Sequence, residues 1–415
     1  MPVLLEKDAN MPLPKMYKVK QTFNSEHIEN VEETVKEQFK RPEITDKVFP
    51  GAKVAVAVGS RGIKNLLTIV KTTVECLKEL GANPFIVSAM GSHGGGNEEG
   101  QREVLTGYGI TEENLGIPVV TTVDSTILGY THNGIPVYFD NAAQTADLIV
   151  PINRIKLHTD FVGDIQSGLC KMLVIGLGNQ IGCSAIHEED PENFASILEE
   201  AAGIIIKKTK VAFGMAILEN GYDRTYAVEA VPRENFIERE KELVKIAKGN
   251  MPTLMIPDID VLIMDEIGKN VSGAGYDPNI VGKSSVLKTF VLDVPEIKRM
   301  VLLDVTEVSH GNGIGVGLFD VITKNVYEQL DLPAMYANAI ACKCIEDCRI
   351  PLIAENEGEA VRIALKVCRG IDEKNLKIVK IKNTLELEHI WVSEALLPVV
   401  DKNDRLEREE GEMVL

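Results

Sequence analysis

The residues best suited to chemistry lie between Asn153 and His187, in the segment NRIKLHTDFVGDIQSGLCKMLVIGLGNQIGCSAIH. It contains two of the seven histidines, His158 and His187, and Lys171 follows a glycine-spaced stretch from Gly163 to Gly168. Glycine lacks a Cβ and adopts positive φ, so backbone amides in such a stretch can approach a ligand closely. A lysine and imidazoles around it indicate an anionic or metal-bearing ligand, and we interpret the segment as the core of an active site.

Parallel βαβ units are predicted to position these residues. KVAVAVGSRGIKN predicts a buried strand that runs into a turn with Arg61, and PFIVSAMGSHGGG predicts a second strand and a turn with His93. Between them, LLTIVKTTVECLKELGA has helical spacing. ADLIVPINRIK predicts a third strand, which delivers His158. Carboxyl ends of parallel strands share one edge of a sheet, where ligands bind, so we expect these turns to form one site.

The histidines indicate proton transfer near neutral pH, because the free pKa of imidazole is about 6.5. His93, His158 and His187 lie at three predicted glycine-rich turns of one parallel sheet, and we expect these turns to converge. Imidazoles on opposite sides of a carbon atom would permit stereochemical inversion. A lone histidine in such a turn is as often structural, and a three-histidine zinc site is a further alternative. The short two-ligand spacing that usually accompanies such a zinc site is absent from the sequence.

Two nucleotide-binding motifs fail in detail. A Walker motif needs lysine directly after its second glycine, followed by Ser or Thr, whereas Gly168 is followed by Leu169-Cys170-Lys171 and Met172. GSRGIKN follows a predicted strand but lacks the G-x-G-x-x-G spacing. An NTPase is therefore disfavoured, although backbone amides at a strand-to-helix turn remain suited to a phosphate group.

The length of 415 residues predicts two domains. The βαβ pattern predicts an α/β fold, in which each domain is a mostly parallel sheet flanked by helices. We expect the active site in the cleft between the domains. The composition shift at GNMPTLMIPDI places the boundary between residues 1–250 and 251–415. In the second domain, Lys269 in DEIGKNVSGAGY and His310 in SHGNGIGVG have glycine-rich settings. Each is as well explained by a solvated turn as by a ligand site. We expect the last segment to pack back on the first domain, or its acidic end, LEREEGEMVL, to be a solvated tail.

Charge and hydropathy exclude several classes of partner. The formal net charge of −18 disfavours nucleic acid and anionic membrane surfaces, since both need a positive footprint. No apolar run reaches the roughly 18 to 20 residues of a membrane span, and the N-terminus lacks the apolar region of a signal peptide. We expect a cytoplasmic protein with seven reduced cysteines. The C-x-C-x3-C run of Cys342, Cys344 and Cys348 predicts buried helix thiols, because iron–sulfur cluster spacings differ.

Taken in order, VGSRGIKN, MGSHGGGNEEG, NRIKLHTDF, GLCKMLVIGLGN and the closing His187 resemble the lactate racemase family, the nickel-pincer-nucleotide enzymes. The resemblance covers most of residues 50–190. It implies that Lys171 tethers pyridinium-3,5-bisthiocarboxylic acid mononucleotide through a thioamide. It also implies that His187 completes a nickel site otherwise formed by the S–C–S arms of the nucleotide. Ser60, Gly168 and Lys269 are the further cofactor-binding residues that we expect.

The same resemblance implies that His93 and His158 are the paired acid/base residues and that Arg61 orients the substrate. In this chemistry one histidine takes the proton of the C2 hydroxyl while hydride leaves C2 for the cofactor. Hydride then returns to the other face of the planar 2-keto acid. Separate biosynthetic enzymes load the cofactor, and the sequence leaves the oligomeric state open.

Two departures from the family pattern bear on the substrate. The D-x-T-R turn is Val58-Gly59-Ser60-Arg61 here, without its aspartate, and the segment before Lys171 is longer and lacks a double glycine. These changes favour a 2-hydroxy acid other than lactate, such as a sugar acid of the gluconate/mannonate kind. The alternatives are a histidine-ligated metal-dependent hydrolase or lyase, and a non-catalytic nickel- or cofactor-binding protein.

Overall fold

The computed structural model describes residues 4–60 and 62–415, which form two compact units. One unit spans Asn24–Met251, and the other combines the residues up to Phe23 with Pro252–Leu415. The sequence predicted that residues 1–23 belong to the first domain, but their described part belongs to the other unit. The reason is that the strand Lys15–Gln21 pairs with two strands near the other end of the chain.

The described residues contain strands β1 to β16, which are Lys15–Gln21, Lys53–Val58, Asn83–Ser88, Val119–Val120, Ser125–Tyr130, Pro136–Asp140, Leu148–Arg154, Phe213–Glu219, Thr225–Pro232, Asp258–Ile267, Glu296–Val305, Val321–Thr323, Leu352–Ala354, Ile378–Ile381, His389–Ser393 and Leu406–Val414. The α-helices α1 to α16 are Glu6–Ala9, Val31–Gln38, Pro42–Thr45, Leu66–Glu79, Glu98–Gly107, Glu112–Leu115, Asn141–Gln144, Leu169–Lys171, Asn179–His187, Phe194–Lys208, Phe236–Asn250, Pro278–Val281, Lys324–Gln329, Leu332–Cys342, Glu357–Val367 and Leu397–Val400. A π-helical turn, Met172–Gly176, links α8 to α9.

The sheet of the Asn24–Met251 unit has the strand order β4-β3-β2-β7-β8-β9. Its strands are parallel except for β9, which runs antiparallel to β8. Strand β2, KVAVAV, is buried from Val54 to Val58, as expected for a parallel strand covered on both faces. Because β3, β2 and β7 are neighbours, their carboxyl ends share one edge, as the βαβ pattern predicts. Strands β5 and β6 form a separate antiparallel pair.

The second sheet has the order β13-β12-β11-β10-β14-β15-β1-β16. Strands β10 to β14 pair in parallel, whereas β15, β1 and β16 are antiparallel to their neighbours. Two mostly parallel sheets flanked by helices confirm the predicted fold class. The acidic end of the chain is a strand, β16, and the prediction of a solvated tail there was wrong. Exposed charged residues along most of the strand are typical of an edge strand, which pairs on one side only.

The three cysteines of the C-x-C-x3-C run are not the buried helix thiols that the sequence predicted. Cys344 is buried but lies outside the helix, Cys342 is exposed and Cys348 is half-buried. Helix α14 ends at Cys342, which places the other two cysteines beyond it. All seven cysteines are free thiols.

Among the described residues, no helix on its own has both the length and the apolar composition of a membrane span. One pair, Leu169–Gly176 with Asn179–His187, passes that test only together and is bent by 106°.

Candidate active site

His93 is held by the turn that follows the neighbouring strand. Ser60, two residues after β2, places its Oγ against His93 Nδ1. The Tyr108 hydroxyl donates to the Ser60 carbonyl at 2.8 Å and so fixes that turn. Gly91, just before His93, has φ +60°, and a Cβ there would lie 3.1 Å from Ile175 Cγ2. The Ser60 hydroxyl can donate or accept, so this contact orients the His93 ring in either neutral tautomer.

His158 and Lys171 contact each other through His158 Nε2 and Lys171 Nζ. The N–H of Asp160 donates to His158 Nδ1 at 3.0 Å, so Nδ1 carries a lone pair. Lys171 Nζ therefore lies beside the ring nitrogen of His158 that the main chain does not hold. Transfer of a proton from the lysine to a neighbouring base would give an uncharged amine, the nucleophilic form that covalent attachment needs.

The main chain brings Lys171 back to His158 through a closed loop. Lys156 and Ser167 form an antiparallel bridge, with N···O distances of 2.9 and 3.1 Å. Asn153, near the end of β7, donates from Nδ2 to the Gly168 carbonyl at 2.8 Å. The glycine-spaced stretch ends there, because the chain becomes helical at Leu169. The loop thus returns to its own strand, and Lys171 stands on the first turn of α8.

His187 is the last residue of α9 and does not lie in a glycine-rich turn. Its Nδ1 donates to the Cys183 carbonyl at 2.7 Å and lies 3.5 Å from Cys183 Sγ. With Nδ1 protonated and held by a carbonyl, Nε2 presents the lone pair, as is usual for metal-binding histidines. Hydrogen bonding to Cys183 raises the pKa of His187, against the effect of burial. Burial raises the pKa of the Cys183 thiol, but hydrogen bonds from His187 and Ser92 outweigh it, and the net shift is downward.

Two phenylalanines connect the three residues of the Asn153–His187 segment. The His158 ring stacks on Phe161 at 4.3 Å between centroids, and Lys171 Nζ lies 5.8 Å from the same ring. Phe161 contacts Phe194 at 5.5 Å, and Phe194 meets the edge of His187 at 5.4 Å. His158, Lys171 and His187 thus surround one aromatic cluster.

The loop that carries His93 packs on the helix that carries His187. Cys183 Sγ lies 3.6 Å from Ser92 Oγ, and the Gly91 amide donates to the Gly176 carbonyl at 3.2 Å. Four of the predicted residues, His93, His158, Lys171 and His187, together with Ser60 and Gly168, therefore lie in one connected set of contacts in the Asn24–Met251 unit.

The other predicted residues stand apart from this set or cannot be placed. Arg61 lies outside the described residues. Lys269 belongs to the other unit, where its Nζ donates to the Gly273 carbonyl at 2.7 Å and its N–H to Ser309 Oγ at 2.8 Å. His310 is in that unit as well, with φ +47°. Within residues 4–60 and 62–415, no group of three or more His, Cys, Asp or Glu side chains is arranged to hold a metal ion.

Sequence reasoning missed the groups that orient this set. Phe161 was visible as an aromatic residue three positions after His158, in HTDF. Phe194 and Cys183 gave no comparable signal, because apolar residues at helical spacing predict only a core. Glu240, described further below, lies seventy residues from its partner Cys170. Its charged helix gave no sign that one carboxyl is buried.

The fold and this set of contacts define a two-domain α/β protein with a lysine–histidine site at the carboxyl ends of parallel strands. Residues 6–195 match the family model of the lactate racemase N-terminal domain, and this match confirms the resemblance drawn from the sequence. A search of curated proteins finds no match. The family match supports an enzyme of the racemase or epimerase type.

Two solved structures are similar to the chain. The lactate racemase apoprotein from Thermoanaerobacterium thermosaccharolyticum superposes with a TM-score of 0.58 at 13% identity, covering 93% of this chain and 96% of that one. A protein from Thermotoga maritima gives a TM-score of 0.46 at 16% identity, covering 66% and 70%. The first comparison shows a shared fold across both units.

Proposed function

We propose that this protein inverts C2 of a 2-hydroxy acid with a nickel-pincer nucleotide tethered to Lys171. The observation that carries the proposal is the contact between Lys171 Nζ and His158 Nε2, within a lactate racemase N-terminal domain. In this proposal His158 helps to deprotonate Lys171, because a thioamide tether forms from the uncharged amine.

The donor groups fit the proposed cofactor. Lys171 provides the amine, and His187 presents Nε2 because Nδ1 is held by the Cys183 carbonyl. A nickel ion bound by three atoms of the nucleotide needs few ligands from the chain, and one imidazole is a suitable donor. Phe161 lies beside Lys171 and offers an aromatic face to a pyridinium ring. When bound, the nucleotide supplies the group that accepts hydride from C2 and returns it.

The chain itself then has to move one proton and hold the substrate. We assign proton transfer to His93 and His158, with Ser60 orienting the His93 ring. Acylation would turn the Lys171 amine into a thioamide nitrogen, which is neither basic nor cationic. His158 would then be available for acid/base work on the substrate oxygen.

The substrate we propose is a sugar acid of the gluconate/mannonate kind, with Arg61 as the cationic group for its carboxylate. The departures in Val58-Gly59-Ser60 support a substrate other than lactate. We further propose that the protein works in the cytoplasm and receives its cofactor from separate biosynthetic enzymes.

The test is inversion of C2-deuterated substrate. Protein produced together with the cofactor-biosynthesis enzymes should interconvert gluconate and mannonate faster than D- and L-lactate. Because hydride stays on the enzyme between the two faces, the product should keep its deuterium in ordinary water. Lys171→Arg should abolish turnover, and Lys156→Arg in the same loop is the matched control.

Each contrary result points to another function. Loss of the deuterium to water would indicate simple proton abstraction and contradict the hydride mechanism. Turnover with zinc or manganese and no tethered nucleotide would favour a histidine-ligated hydrolase or lyase. Tight cofactor binding without turnover of any 2-hydroxy acid would favour a carrier. Lactate turned over as fast as gluconate would contradict the substrate assignment alone.

A further inference from the structure

Glu240 is a buried carboxyl on α11, outside the set of contacts described above. Its side chain has no exposed surface. Oε2 accepts from the Cys170 N–H at 2.8 Å, and Cys170 immediately precedes Lys171. Oε1 has no hydrogen-bond partner among the residues that the structure describes. A carboxyl group without full hydrogen bonding in the interior is costly, so its presence at this turn calls for a reason.

The backbone at Gly168 lies so close to this carboxyl that a side chain has no room there. A Cβ at Gly168 would lie 2.4 Å from Glu240 Oε1, 2.7 Å from its Cδ and 2.8 Å from Ile155 Cδ1. No other residue type fits there without displacing Glu240. The opposite side of the same turn is held by Asn153, whose Nδ2 donates to the Gly168 carbonyl. The turn before Lys171 is therefore fixed from β7 on one side and from α11 on the other.

The helix that carries Lys171 lacks a local cap. Gly168 at its N-cap has no side chain to accept from the first amides of the helix. Glu240 supplies that acceptor from a different element, although a serine or aspartate at the cap would do so at lower cost. The Glu240 carboxyl also links the turn before Lys171 to the core, because its helix, α11, is anchored by the buried side chains of Phe236 and Leu243.

We infer that Glu240 is a positioning residue for Lys171: by holding the Cys170 amide it keeps the lysine amine against His158, ready for covalent attachment. The inference rests on the proposed function, because it takes Lys171 as the tether. It concerns a residue that acts through the backbone and touches neither substrate nor cofactor.

The experiment compares Glu240→Gln, Glu240→Leu and the control Leu243→Ala in protein produced with the cofactor-biosynthesis enzymes. Gln keeps the shape and an acceptor oxygen, Leu fills the space without an acceptor, and Leu243→Ala weakens the same helix without touching the turn. Tether occupancy is read by intact mass, folding by thermal unfolding. In cofactor-free protein, hydrogen exchange of the Cys170 amide reports on the turn itself.

We expect Glu240→Gln to keep occupancy within about twofold of wild type. Glu240→Leu should fall to about a tenth, because Leu leaves the buried Cys170 N–H without an acceptor and an unsatisfied buried donor costs about a factor of ten. Exchange at Cys170 should quicken by about the same factor in Glu240→Leu. Leu243→Ala should lower the melting temperature and leave both readouts unchanged.

Failure of the positioning role of Glu240 and failure of the proposed function would give different results. If Glu240→Leu carries as much tether as Leu243→Ala, the positioning role is wrong and the proposed function stands. If wild-type protein carries no adduct, the proposed function is wrong. The exchange rate of the Cys170 amide would still decide whether Glu240 holds the turn. A Glu240→Leu protein that exchanges like wild type would overturn the inference in either case.

Discussion

Glu240→Gln should remove a pH dependence of stability from the Asn24–Met251 unit. Burial raises the pKa of Glu240 from its usual 4.5 to about 7, even though the amides of Cys170 and Leu169 act in the opposite direction. The folded protein therefore binds this proton more tightly than the unfolded chain does. The stability from the group is fully present below about pH 4.5 and is lost as the pH rises through about 7.

The size of the effect follows from the two pKa values. Between pH 5 and pH 8, ionisation of Glu240 should lower the free energy of unfolding by about 2 to 3 kcal/mol. Gln resembles the protonated carboxyl and cannot ionise, so the variant should gain that amount on wild type over this range. Cys170 also touches Glu240, but burial raises the pKa of its thiol well above the usual value. Glu199 and Lys241 act on that thiol with opposite signs.

The assay is hydrogen exchange of the slowest amides in strand β2, measured for wild type and Glu240→Gln at the same pH values. Intrinsic exchange rates and all other titrating groups cancel in the comparison. A difference that grows with pH by about 2 to 3 kcal/mol is expected. Parallel profiles, with a constant offset between the two proteins, would refute the assignment of a buried, titrating carboxyl.

Three further predictions concern the candidate site. Gly168→Ala should destabilise by about 1 to 3 kcal/mol through overpacking, whereas Gly107→Ala, where a Cβ meets nothing within 4 Å, should not lower the melting temperature. Ser60→Ala removes the partner of His93 Nδ1 and should shift the pH profile of turnover while leaving tether occupancy unchanged; an unshifted profile would count against a role of Ser60 in orienting His93. His187→Ala should keep the tethered mass but lose nickel by about tenfold or more, since a ligand is removed. Equal nickel in both proteins would exclude His187 as the ligand.

The parallel core was predictable because its signal is local. Continuous apolar runs such as KVAVAV, separated by helical spacing and glycine stops, indicate βαβ units directly. The positions of His93 and His158 after β3 and β7 follow from the same pattern. Since parallel strands share a carboxyl edge, the approach of these turns was predictable as well.

The features that the sequence did not predict depend on contacts between distant residues. Strand β1 pairs with β15 and β16, near the other end of the chain, and no local pattern reports such a partner. Burial of Glu240 depends on Gly168 and Cys170, which belong to another element. His187 was expected in a turn but ends α9, because the residues Asn179 to His187 continue the helix despite their glycine. Long-range pairing and the burial of single charged groups are set by tertiary packing.

The most direct test of the proposed function is intact-protein mass spectrometry with nickel analysis, on protein produced together with the cofactor-biosynthesis enzymes. The account predicts an added mononucleotide that maps to the peptide containing Lys171, with nickel close to one per chain and no adduct in Lys171→Arg. A bare chain under these conditions, or an adduct that persists in Lys171→Arg, would contradict it.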